Sequence, residues 1–503
     1  HITWSLADEG GEALMPSPWV GLLVNRGYVK AESDTGTITV KNRADYLVNA
    51  RAALHFLPSA LRSAKDGKRI DDIWWALYDW ALLNGYDDSV HTIGAGLFYN
   101  SRAQALSKGL IESLFLKNKT LRGSVTLLEA YRKCPFAFFA KYGLKLKERQ
   151  EYDFAAPDLG TLVHAVLRCI GERLLEEGRP WRELKDDEIL SLCTVETERA
   201  AAEAANNILM SDAYFRQIKN RVVATLVRTV RQLRDFSEGS EFSVRALEQP
   251  FGTKGAWKGL SFNLPDGVKV ELVGQIDRVD TLELDGRTFI LIVDYKSGKK
   301  SITLPEVYSG LELQLFLYMA VARRNLGSKA VPAGAVYCRV RNDVQRCSAE
   351  PTAAEKERAY IKAGQLSGFY LNDSDVVRAL DDCTMEGRAA SPYSGLKINN
   401  DGTLKKAANV SDEAEWYRLL RLVEAAACRS ASELTSGCID IYPARWGSSN
   451  EHKACDYCPY AALCRFDVTA EDGNSWNYLG NLSIDDLFPD TVIVKDGGQD
   501  GVD

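Results

Sequence analysis

The sequence predicts an α/β fold, a mixed sheet flanked by helices, preceded by a mostly helical segment. Three observations carry this expectation. The stretches EFSVRALEQPF, VKVELVGQIDRVDTLEL and RTFILIVDYKSG follow one another as β-rich runs, with a turn at Leu284 to Gly286 between the last two. Two stretches with apolar residues at helical spacing, DLGTLVHAVLRCIGERLLEEG and LELQLFLYMAVARR, bracket those runs. Segments rich in Trp, Leu and Ala, including IDDIWWALYDWALLNG and SRAQALSKGLIESLFL, fill the chain up to Lys117 and read as helices.

Taken in order, residues 1–120 form the helical part, 121–467 the α/β domain and 468–503 a tail. The chain opens on His1, and ITWSLADEGGEALMPSPWV reads as starting inside a domain. No G-x-x-x-x-G-K-[ST] occurs, so the sequence offers no phosphate-binding loop for ATP. A helical lead-in from Gly123 runs through Cys134. The helix near Gly160 then places Leu162, Val163, Val166, Leu167 and Ile170 on one face, with His164 near its amino end. On its own terms His164 reads as a satisfied core histidine. Trp181 to Phe236 reads as a helical insertion, the three strands follow, and AGAVYCRV continues the sheet. Ser367 to Val410, rich in Asp, Gly, Asn, Ser and Lys, reads as an irregular insertion, and SDEAEWYRLLRLVEAAACRSASELTSG as a long helix.

Composition narrows the class. The 503 residues are 46% hydrophobic and 26% charged, enough for a sizeable core in two or more domains. A net charge of −7 excludes a basic DNA-coating protein; local basic stretches at KYGLKLKER, at SGKK and at Arg323 and Arg324 leave room for one anionic channel. No apolar run reaches the length of a membrane span and no secretory leader is expected. Eleven cysteines, an odd count with metal-like clustering, point to a reducing compartment, the cytoplasm.

The chemistry concentrates at LIVDYKSG. Asp294 and Lys296 are two apart on a strand and therefore share a face with Ile290 and Ile292, while the preceding strand carries Asp277. Phosphodiester cleavage needs such a set: a hard divalent cation takes carboxylate oxygens from two elements, and the developing phosphorane charge takes a fixed ammonium. Asp277 and Asp294 would hold the metal, with the Tyr295 carbonyl as an extra ligand, and Lys296 would orient the attacking water and stabilise charge. Gln314 and Tyr318 lie i, i+4 on the next helix as a polar stripe.

These segments, in the order GTLVHAVL, GQIDRVD, VDYKSG and Q-x-x-x-Y, resemble the RecB-type branch of the PD-(D/E)XK nuclease superfamily. The resemblance implies that His164 assists metal binding, Asp277 and Asp294 hold magnesium, Lys296 is catalytic, and Gln314 with Tyr318 brace the site and approach DNA.

A second motif lies in the cysteines. Cys455, Cys458 and Cys464 form C-x2-C-x5-C, and Cys134 stands far upstream in YRKCPFAFFAKYGL. Four thiolates suit either tetrahedral zinc or an iron-sulfur cluster, and His452 is the histidine near enough to serve a zinc. Phe136, Phe138, Phe139, Tyr457 and Tyr460 surround them in sequence and read mostly as core packing. Cys169, Cys193, Cys338, Cys347, Cys383, Cys428 and Cys438 lack ligand spacing and read as small buried apolar residues.

C-P-F-x-F-F-x-x-Y-G-L before the core and C-x2-C-P-Y-x3-C-R-F-D after it resemble the B subunits of AddAB-type helicase-nucleases. That resemblance implies a structural [4Fe-4S] cluster on Cys134, Cys455, Cys458 and Cys464, and a degenerate helicase-like region at the start. It further implies Mg2+-dependent exonuclease action on single-stranded DNA fed from duplex ends during double-strand-break processing, with the A-type subunit as motor partner in a heterodimer. Two other readings remain: a stand-alone RecB-like iron-sulfur exonuclease, and a non-catalytic DNA-binding scaffold.

Overall fold

The computed structural model describes residues 14–29, 47–98, 103–147, 156–203, 213–253, 256–298, 300, 302–340, 352–382, 391, 393–399, 409–447, 451–468 and 475–479. It divides into two compact units, His1–Asn100 and Ser101–Asp503.

The first unit is helical, with α1 (Pro18–Asn25), α2 (Ala50–Lys65), α3 (Asp72–Leu83) and α4 (Asp87–Leu97). The side chains of Asn49 and Asp71 accept backbone N–H groups at the starts of α2 and α3, satisfying donors that a helix leaves orphaned. Leu54, Leu57 and Leu61 of α2 fall three to four residues apart and pack on Trp74, Ala81 and Val90 as a small core.

The second unit opens with α5 (Lys108–Phe115), the hairpin β1 (Leu116–Lys117) and β2 (Thr120–Gly123), then α6 (Val125–Lys133) and the short α7 (Pro135–Phe138). Helices α8 (Ala156–Glu176), α9 (Asp186–Glu203) and α10 (Ala213–Glu238) precede the strands β3 (Ser243–Phe251), β4 (Ser261–Asn263), β5 (Lys269–Leu272), β6 (Gly274–Leu284) and β7 (Arg287–Lys296). After them come α11 (Leu304–Tyr308), α12 (Gln314–Leu326), β8 (Ala330–Arg339), α13 (Ala353–Ala363), β9 (Ser367–Leu371) and α14 (Ser374–Leu380). The order closes with β10 (Val410–Ser411), α15 (Glu413–Thr435), β11 (Ala444–Trp446), β12 (His452–Lys453), α16 (Ala461–Cys464) and β13 (Asn477–Tyr478).

The α/β expectation holds. A six-stranded mixed sheet, ordered β10-β9-β8-β7-β6-β3, pairs β7 with β8 in parallel and β7 with β6 antiparallel. Asp285 and Gly286, both at positive φ, make the tight turn between β6 and β7 that an Asp-Gly pair favours. From Phe289 to Tyr295 every residue of β7 is buried, as expected of a strand covered on both faces.

Three expectations need correction. VKVELVGQIDRVDTLEL is not one strand: β5 pairs with β2 and β4 in a small second sheet, and the chain breaks at Val273 before β6 joins the main one. Gly274, the first residue of β6, lets the strand pass close to the Phe251 ring, which a Cβ there would meet at 2.7 Å. Second, Trp181 to Phe236 is helical as expected, yet its helices are built into the main core and not set apart from it. Trp181, Leu192, Val222, Leu226 and Leu233 lie in the main core, and the Trp181 ring sits 5.4 Å from the guanidinium of buried Arg278, itself paired with Asp280 at 2.8 Å.

Third, the segment starting at Ser367 is not irregular at its start. It forms β9, antiparallel to β8, and α14, whose Val376, Val377 and Leu380 are buried. Its polar residues misled because some are caps: the Asp373 carboxylate accepts from the N–H groups of Asp375 and Val376. Residues 383–390 and 400–408 lie outside the described ones. Beyond Asp467, β13 pairs in parallel with β11 and buries Leu479 against Leu311 and Ala444. No described helix is long and apolar enough to cross a membrane.

Candidate active site

The antiparallel register that sets Arg278 beside Val293 brings the next pair, Asp277 and Asp294, to face each other across β6 and β7. Both carboxylates are buried, Asp294 at 1% exposure. The Lys296 Nζ lies 2.6 Å from Asp294 Oδ2, as side chains two apart on one strand face require. Burial and the neighbouring Asp277 push the Asp294 carboxyl up to about 6, against the pull of Lys296.

Helix α12 starts at Gln314, which spans the pair. Its Nε2 donates to Asp294 Oδ1 at 2.8 Å while its Oε1 accepts from Lys296 Nζ at 3.3 Å. The same amide nitrogen lies 3.1 Å from the Tyr318 hydroxyl, so the i, i+4 stripe is a brace between the strand and the helix. The α12 start is itself held by buried Glu129, whose Oε1 accepts from the backbone N–H of Leu313 at 2.8 Å and of Gln314 at 3.1 Å.

His164 reaches the other side of the cluster from α8. Its Nε2 lies 3.0 Å from the Tyr295 carbonyl oxygen, and its Nδ1 3.4 Å from Asp277 Oδ2 and 3.6 Å from Glu248 Oε1. The satisfied-core reading of His164 therefore gives way to a histidine facing three oxygens at a site. Burial alone would lower its pKa, but hydrogen bonds to Asp277 and Glu248 outweigh burial and hold it at about 10.

Glu248 escaped the sequence reading. It sits in β3 at φ +43, and His164, Glu248 and Asp277 offer donor atoms all within 4.8 Å of one another. The register that pairs Leu247 with Arg278 and Gln249 with Ile276 sets Glu248 opposite Asp277. Pairing the LEQPF strand antiparallel to GQIDRVD would have found it, but periodicity alone does not fix register. Gln275 Nε2 donates to its other oxygen at 2.7 Å. The carboxylates and the backbone carbonyl are the oxygen donors a hard divalent cation takes, and the imidazole adds one borderline nitrogen.

A sequence model described as the PD-(D/E)XK nuclease superfamily matches residues 122–465. The chain belongs to this superfamily. PD-(D/E)XK nucleases use divalent metals, which agrees with the donors gathered here. A second model, the fifth domain of ATP-dependent helicase/deoxyribonuclease AddB, matches residues 39–90. Among curated relatives, the B subunit of the ATP-dependent helicase/deoxyribonuclease of Bacillus thuringiensis (strain Al Hakam) is 32% identical over 99% of this chain and 43% of its own length. The protein of that description from Desulforudis audaxviator (strain MP104C) is 33% identical over 97% of this chain and 42% of its own. The chain thus spans less than half the length of these relatives.

Outside the PD-(D/E)XK cluster, Cys134, Cys455, Cys458 and Cys464 all line one cavity, together with Phe136, Tyr460 and Phe466. None of the four forms a disulfide. Burial, then the other three thiols, pushes the Cys455 thiol up to about 12, an acidity that bound metal would reverse. Of the aromatics named from sequence, Phe138 packs in the core between Phe115, Tyr131 and Tyr142, whereas Tyr457 is fully exposed and is no part of a core. Phe466, which the sequence reading did not name, lines the cavity. His452 lies on β12 against Trp446 and does not line the cavity.

Cys193 and Cys338 are buried as expected, whereas Cys169, Cys428 and Cys438 are only partly so; Cys347 and Cys383 lie outside the described residues. Arg323 stacks on Tyr417 at 4.4 Å and donates to the Ala330 carbonyl, a packing role rather than a channel charge.

Proposed function

We propose that the chain is the nuclease part of a helicase-nuclease complex, carried on its B-type subunit, and hydrolyses single-stranded DNA exonucleolytically with Mg2+. One observation carries this: Asp277, Asp294 and Lys296 converge at one end of the central sheet, with Lys296 Nζ 2.6 Å from Asp294. Asp277, Asp294, the Tyr295 carbonyl, His164 and Glu248 would hold the cation. When bound, the cation supplies a polarised phosphate oxygen and a more acidic water.

The remaining work belongs to the chain. Lys296, with its side chain 26% exposed, presents an ammonium to an incoming phosphate and stabilises the charge that builds on it. Gln314 fixes Lys296 and Asp294 to each other, so that neither side chain must be ordered at the moment of reaction. Tyr318 holds Gln314 in turn.

The four cysteines fit a [4Fe-4S] cluster as a structural staple. All four thiols line one cavity, the ligand count of a cubane cluster, and Cys134 stands far upstream of the trio that it joins there. Residues 1–120 would be the end of a helicase-like region, 121–467 the stapled nuclease and 468–503 a tail, acting in the cytoplasm with the A-type subunit as the motor during double-strand-break repair.

The test is digestion of single-stranded DNA by purified protein with Mg2+. Asp294→Ala and Lys296→Ala should each abolish it and leave iron content unchanged. Full activity in both variants removes these residues from the reaction and favours a different site.

A further inference from the structure

A groove of about 420 Å³ begins at Lys296. It runs from the end of β7 past Arg339, the last residue of β8, to Lys362 in the last turn of α13. Lys296, Lys300, Arg339 and Lys362 line it, and among the described residues that line it there is no Asp or Glu. In a chain of net charge −7 this is a marked local inversion of sign. A low-dielectric wall of one charge concentrates ligands of the other.

We infer that this groove is the track for the single strand flanking the cleaved bond, with Lys362 and Arg339 taking successive phosphates away from Lys296. The inference rests on the nuclease reading and extends it to named binding residues. Lys300 is partly spent, since Glu312 lies 2.7 Å from its Nζ. Lys362 is exposed and has no ion-pair partner among the described residues, which leaves its full charge for a ligand.

Between the cations the lining includes Gln365 and Asn409, both only partly buried, whose side chains can donate to phosphate oxygens or base edges. The choice of an unpaired strand over a duplex comes from the nuclease reading itself.

The experiment is fluorescence anisotropy of a labelled oligothymidylate in EDTA over a salt series, on the whole chain. Lys362→Glu should weaken binding about tenfold and flatten the log–log salt slope by about 0.7, the contribution of one single-strand phosphate contact. Hydrolysis of bis(p-nitrophenyl) phosphate, which needs only the metal cluster, should stay at the wild-type rate in Lys362→Glu. Unchanged affinity and slope in folded Lys362→Glu protein overturns the track. Equal loss of affinity for a blunt duplex overturns the choice of an unpaired strand. Failure of the wild type to hydrolyse the small diester counts against the nuclease reading alone, because the anisotropy arm still decides the groove.

Discussion

Asp294→Asn tests whether the site is strained when no cation is bound. The carboxyl of Asp294 is held at about 6 instead of 3.8, first by burial and then by Asp277. A raised carboxyl means the folded state binds the proton more tightly than the unfolded chain, so stability falls as pH rises from about 4 to about 6 and stays low above. A shift near two units corresponds to about 3 kcal/mol at pH 8, an order-of-magnitude figure. Asparagine copies the protonated form and keeps an oxygen for Gln314 Nε2, so it should relieve most of that cost. The assay is thermal unfolding in EDTA at pH 8 and again near pH 4. We expect a melting temperature several degrees above wild type at pH 8, little difference near pH 4, and no nuclease activity at either. A lower melting temperature at pH 8, or the same gap at both values, would refute the reasoning.

Two further perturbations separate the two metal sites. Glu248→Gln keeps the shape of the side chain and removes one charge from the group around His164; calorimetric titration with Mn2+ should show about a tenfold to hundredfold loss of affinity, and an unchanged affinity would exclude Glu248 from the site. Cys134→Ser removes the ligand farthest in sequence. Iron should fall from about four per chain, and unfolding free energy by up to about 5 kcal/mol, the entropy of closing a loop of roughly three hundred residues. One zinc per wild-type chain and no iron would replace the cluster with a zinc knot.

The strands and the acids on them were legible because they depend on a period of two, which a sequence displays directly. Asp294 and Lys296 had to share a face once β7 was a strand. Gln314 and Tyr318 likewise follow from helical spacing. What was not legible depends on register or on neighbours distant in the chain. Glu248 joins the site through the antiparallel pairing of β3 with β6, and Glu129 through a helix nearly two hundred residues before the one it caps. The break at Val273 arises because two sheets compete for one run of β-forming residues, a conflict that composition does not reveal. At Asp373, by contrast, polar composition suggested a loop where capping chemistry was at work.

The two candidate metal sites are joined by one short helix. Glu129, on α6, holds the first backbone N–H groups of α12 and thereby the position of Gln314. Burial pushes its carboxyl up to about 7, so the contact is made by a group that titrates near physiological pH. Five residues later the same chain reaches Cys134. Between them, the Tyr131 hydroxyl donates to the Cys438 carbonyl at 3.1 Å and Arg132 Nε to the Ser309 carbonyl at 2.8 Å, pinning α6 both to the segment that leads to the cysteine trio and to the end of α11. A helix of nine residues has little stability of its own and keeps its place through such contacts. Anchoring Cys134 therefore limits how far Glu129 can move, and with it the amide that aligns Lys296 with Asp294.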